Sequence, residues 1–213
     1  MSDDPNLRPR GIPVSRAILL PPGPLGDELR PVLAAIDRVH GDGVLPRIAV
    51  AVEPSLLDES AYEWAEPAGI VLGIALRPDA EQPRLNLLHE VGHFLDHQTM
   101  GQTGAFASIA DPALAEWRET VATSDAIRTL RDIAHRTTRP IVKDHAEYHL
   151  RLAEQWARCY AQFITLASRD PQLRDDLMRR RSSRRIPVQW DDDDFLPIAG
   201  SMVTLFRRLG WMT

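Results

Sequence analysis

The sequence predicts an α+β fold, mainly helical, with a small β-sheet next to one central helix. Three observations carry that prediction. The stretch from Leu87 to His97 places Leu87, Leu88, Val91, Phe94 and Leu95 among polar residues at helical spacing. Two short runs, 47–52 and 69–76, are rich in valine and isoleucine and read as strands. Two longer stretches, 112–136 and 144–167, repeat apolar residues at the helical period.

The elements follow in order. Residues 1–26 hold Pro5, Pro9, Pro13, Pro21, Pro22 and Pro24 with Gly11, Gly23 and Gly26. Proline density of this kind excludes a regular helix or a central strand, so the segment reads as a flexible, extended N-terminal lead. Residues 27–213 read as one domain. Its first helix, 27–40, carries Leu29, Val32, Leu33, Ile36 and Val39, and Gly41 and Gly43 stop it. The strand at 47–52 is followed by 53–67, a loop or short helix with two prolines and several acids. The second strand, 69–76, is the candidate for an exposed sheet edge. Pro78 and Pro83 bracket the turn into the central helix, which starts near Asn86. A glycine-marked loop follows from Gln98 to Gly104, then the two long helices, separated by Thr138-Arg139-Pro140. A basic run, 178–185, and an acidic one, Asp191 to Asp194, read as a solvated loop whose halves pair. The tail, Phe195 to Trp211, is apolar enough to dock as a last helix.

A chain of 213 residues with 44% hydrophobic and 26% charged residues is ordinary for a soluble domain. Its net charge of -5 argues against coating nucleic acid. No apolar run reaches the length of a membrane span. The first residues lack the basic and apolar regions of a signal peptide, so the expected compartment is the cytoplasm. Cys159 is the single cysteine, which excludes an internal disulfide framework. In mid-helix with no obvious base, it reads as a small buried residue rather than a nucleophile.

The chemistry lies in His89-Glu90-Val91-Gly92-His93, an HExxH pattern. Histidines four apart on a helix share one face and can aim two imidazole nitrogens at one point. That is half of a tetrahedral zinc site, with Glu90 placed to take the proton of a zinc-activated water. A catalytic site wants a third protein ligand. His97 is eight residues from His89, about 12 Å along a helix axis, too far to share one ion. A metzincin pattern would require glycine and histidine where Asp96 and Thr99 stand. Glu154 is the better candidate, on a helix whose small Ala153, Ala157 and Ala161 permit close approach; Glu147, seven residues earlier, is its rival. Asp96 is a candidate to orient a ligand imidazole or to fix a neighbouring segment. Tyr148, His149 and Arg158 are the candidates to stabilise an oxyanion.

The segments 89–96 and Glu154-Gln155-Trp156-Ala157-Arg158-Cys159-Tyr160 together resemble the gluzincin metallopeptidases. The likeness is nearest to the anthrax lethal factor-like group and to metallopeptidase domains of phage and mobile elements. It spans roughly residues 45–165 in pattern and is specific at these two pieces. The resemblance implies a zincin-like fold, with His89, His93 and Glu154 as zinc ligands and Glu90 as general base. It also implies an oxyanion-holding tyrosine about two turns before the ligand glutamate; Tyr148 stands one position out of that register. The expected partner is a peptide or protein substrate, with no nucleic acid or membrane. The alternative expectation is a catalytically idle, zinc-stabilised interaction module of a phage or mobile element.

Overall fold

The computed structural model describes residues 11–41, 45–65, 69–100, 104–183 and 186–213. The first ten residues of the proline-rich lead, Gly43, residues 101–103 of the glycine-marked loop, and Arg184 and Arg185 lie outside the described residues.

Residues 11–26 lie partly against the body of the protein. Val14, Ala17 and Ile18 are buried, and Ile18–Leu19 forms a short strand, β1. The first helix, α1 (Pro24–Val39), begins with proline at its first position, where no N–H is needed. Three strands follow: β2 (Ile48–Val52), β3 (Ser60–Ala65) and β4 (Ile70–Leu76). The sheet order is β1-β2-β4-β3, with β1 and β2 parallel, β2 and β4 parallel, and β3 antiparallel to β4.

This order corrects two expectations. Residues 53–67 were expected to form a loop or short helix, but 60–65 make a strand, with Tyr62 buried and Trp64 packed against the core. The expected sheet edge at 69–76 is an inner strand, hydrogen-bonded on both sides. Among the described residues the edge strand beside the central helix is β3. Alternating aromatics at 62 and 64 are the strand signal, and it is short enough to be masked by Pro54 and Pro67.

The central helix, α2 (Pro83–Gln98), is buried almost all round. The chain continues through α3 (Ala107–Ala110), α4 (Ala115–Ala122), α5 (Asp125–Arg136), α6 (Pro140–His149), α7 (Leu152–Ser168), α8 (Pro171–Ser183) and α9 (Asp192–Arg208). The α+β, mainly helical class holds. Both long helices expected from periodicity are divided. The first breaks at Thr123-Ser124, where the Ser124 hydroxyl and the Asp194 carboxylate accept from the free N–H groups starting α5. The second begins at Pro140 rather than 144 and breaks at Leu150-Arg151. The basic run is not a loop but the last turns of α8 up to Ser183; there Arg181 pairs with Asp192 at 2.9 Å, and Arg180 reaches inward to Gln82 and Asn86 of the α2 start. Asp192 to Asp194 open α9, where negative charge suits the helix N-terminus.

One packing contact positions the site. A Cβ on Gly92 would lie 2.9 Å from the Cα of Ala157, so α2 and α7 approach closely only because residue 92 has no side chain. The Trp156 indole donates to the Gly92 carbonyl across the same interface at 3.0 Å. Around it, Phe94, Val91, Tyr160, Phe163 and Trp117 form a continuous buried cluster.

Candidate metal centre

The four-residue spacing on α2 sets His89 and His93 edge-to-face, with ring centroids 4.7 Å apart and planes at 85°. Their Nε2 atoms are 3.1 Å apart. Glu154, in the first turn of α7, reaches both: Oε2 lies 3.4 Å from His89 Nε2 and Oε1 lies 3.2 Å from His93 Nε2. A tetrahedral ion with bonds of about 2.05 Å needs donors about 3.3 Å apart. The separation of the two imidazole nitrogens is close to that, and each nitrogen lies at about that distance from one oxygen of Glu154, a different oxygen for each. Among the described residues this is the group of three ligand side chains that converge. It forms a possible metal-binding triad.

The three side chains are electrostatically coupled. Burial pushes the Glu154 carboxyl up, but hydrogen bonds and charge from His89 and His93 outweigh it and hold the carboxyl far below the usual range. Burial lowers His93, and Glu154 reverses this, leaving it above its ordinary value. A buried carboxylate is tolerated here because two imidazoles face it.

Glu90 is buried beside the triad, and the Ser60 hydroxyl of β3 donates to its Oε1 at 2.6 Å. Ser60 was not foreseen, because its strand was not. Tyr148 of α6 lines the same cavity as His89, Glu90 and Glu154. Burial raises its hydroxyl, and the charge of and hydrogen bond to Glu154 raise it further, so the phenol stays protonated. His149 and Arg158 line the same cavity, of about 410 Å³, with Asp58, Glu59 and Asn86. Burial, then Arg158 and His145, hold His149 down to about 3, so its imidazole is neutral. Burial brings Arg158 down to about 10; its guanidinium donates to the carbonyls of Glu154, Val188 and His149. All three oxyanion candidates thus reach one cavity.

Other residues are placed elsewhere. Glu147 is exposed and pairs with Lys143 at 3.7 Å, because the break at 150–151 turns its face away from the triad. His97 accepts from the Tyr62 hydroxyl at Nδ1, 2.8 Å away, and takes no part in the triad. Asp96 accepts from the N–H and hydroxyl of Ser108, at 2.7 and 2.5 Å, which fixes the α3 segment; no hydrogen bond joins it to the buried Nδ1 of His93. Burial raises Asp96 to about 6. Cys159 is buried, and burial pushes its thiol up, which suits packing rather than attack. His145 also lines the cavity, and sequence reasoning missed it. The signal was present: His145 and His149 repeat the four-residue spacing of His89 and His93.

No protein-family profile, no curated protein and no solved structure matches this chain. Among the described residues no helix is long and apolar enough to cross a membrane.

Proposed function

We propose that this chain is a zinc metallopeptidase of the gluzincin kind, hydrolysing peptide bonds, with His89, His93 and Glu154 as zinc ligands and Glu90 as general base. The observation that carries the reading is the convergence of two imidazoles and a carboxylate, with Glu90 beside them in the cavity lining. Two imidazoles and a carboxylate suit zinc, whereas calcium and magnesium take oxygen ligands. Three protein ligands leave a fourth position open, which a purely structural site would close. When bound, zinc supplies a Lewis acid that polarises a carbonyl and brings water towards neutral acidity.

The remaining roles belong to the chain's own groups. Glu90 accepts the proton of the attacking water and returns it to the departing amine. The hydroxyl of Ser60 fixes the direction of one Glu90 oxygen. Tyr148, kept protonated, donates to the oxyanion as the carbonyl becomes tetrahedral. Among the described residues β3 is the outermost strand on this side of the sheet, and an extended peptide adds to it as a further strand. Asp58, Glu59 and Ser60 carry that edge to the cavity.

The test is an unbiased peptide library incubated with wild type and Glu90→Gln. Wild type is expected to cut and the variant to fall by at least two orders of magnitude while keeping its zinc. Equal cutting by both removes Glu90 from its role. Zinc held by a wild type that cuts nothing favours an idle zinc-stabilised module.

A further inference from the structure

The cavity that His89 and Glu154 line also carries a second histidine pair. His145 and His149 stand four apart on α6, with ring centroids 4.4 Å apart, planes at 82° and Nε2 atoms separated by 3.2 Å. The corresponding values for His89 and His93 are 4.7 Å, 85° and 3.1 Å. The two pairs are therefore near copies in geometry, on different helices, and His145, His149 and His89 line one cavity. We infer that His145 and His149 form a second metal-binding site, for a divalent ion that accepts imidazole, such as zinc, nickel or copper. This inference does not depend on the reading of the first centre.

The separation of 3.2 Å matches one edge of a tetrahedral site, about 3.3 Å by the bond lengths above. Ligation through both Nε2 atoms puts the remaining proton on each Nδ1. Arg158 is the obvious opponent, since its charge sits near His149. Its N–H groups, however, are directed to three backbone carbonyls, one of them that of His149, and not to the ring nitrogens. Asp58 and Glu59 add negative charge to the same cavity. Among the described residues no third His, Cys, Asp or Glu ligand atom converges on the pair, so water completes the shell and the site is weaker than the triad. Imidazole donors and this weakness favour ions late in the Irving–Williams order over magnesium or calcium.

The alternative for two such rings is a shared N–H···N hydrogen bond without metal. The experiment that separates them is a zinc titration of the full, metal-stripped chain, followed by long-range proton–nitrogen spectra of its seven histidines. The expected result is that His89 and His93 respond to the first equivalent and His145 and His149 to a second. Unchanged His145 and His149 resonances beyond two equivalents overturn the inference in favour of the hydrogen bond. In His93→Ala the response of His145 and His149 persists, so failure at one centre is read separately from failure at the other. A His145→Ala/His149→Ala double variant loses the second equivalent and keeps the first; if it does not fold, the wild-type titration alone decides.

Discussion

The indole of Trp156 donates its Nε1–H to the carbonyl of Gly92, 3.0 Å away across the α2–α7 interface. Gly92 lies between Glu90 and His93, and Trp156 lies two residues after Glu154. This contact and the absence of a side chain at residue 92 set the distance between the two helices that carry the triad. The chemistry of the site therefore rests on an apolar packing decision one residue away.

Gly92→Ala should expose that dependence. The new methyl meets Ala157 Cα at 2.9 Å and Tyr160 Cβ at 3.2 Å, so the helices must separate. Helix propensity favours alanine by about 1 kcal/mol, but overpacking costs about 1–3 kcal/mol. The net effect expected is loss of stability, together with a metal affinity at least tenfold weaker as Glu154 moves off the histidines. Chemical denaturation and a competitive chelator titration measure the two separately. Unchanged metal affinity would show that the interface does not govern the site.

Tyr148→Phe should lower kcat by roughly 10²–10³-fold if the phenol donates to the oxyanion, with KM and metal content nearly unchanged. The side chain is 41% exposed, so its loss carries little folding cost. A fall confined to KM would assign Tyr148 to substrate contact instead.

His40 predicts a pH dependence of stability away from the site. It is fully buried, with Nδ1–H donating to the Gly41 carbonyl at 2.6 Å and Nε2 accepting from the Tyr160 hydroxyl at 2.9 Å. Burial lowers it from 6.5 to about 4. Between those values the unfolded chain binds the proton and the folded one does not. Stability is thus complete above about pH 6.5 and falls as pH drops towards 4, by on the order of 3 kcal/mol from this group. Asp96, raised to about 6, acts with the opposite sign. Comparing wild type with His40→Gln cancels Asp96, and the variant should lose stability less steeply between pH 6.5 and 4. Parallel curves of unfolding free energy against pH would contradict this.

How much of this was legible depends on whether the cause is local. His89 and His93 could be paired from sequence because four residues on a helix determine their separation. Glu154 could be favoured because small alanines mark a helix face that others approach. The demotion of Glu147 could not be read, since no proline or glycine marks the break at Leu150-Arg151. Nor could the division at Ser124, whose cap is completed by Asp194, 69 residues away from Asp125. The β3 edge was missed because strand pairing is decided by β4 rather than by 60–65 alone. Ser60 followed it out of view.

The most direct test of the account is the metal content, by elemental analysis, of purified wild type beside His93→Ala, Glu154→Ala and Glu147→Ala. After exchange into buffer that removes weakly held ions, wild type and Glu147→Ala should each carry one zinc per chain. His93→Ala and Glu154→Ala should have lost it or hold it at least tenfold more weakly. Zinc retained in Glu154→Ala, or absent from wild type after supplementation, would contradict the triad on which the proposed function stands.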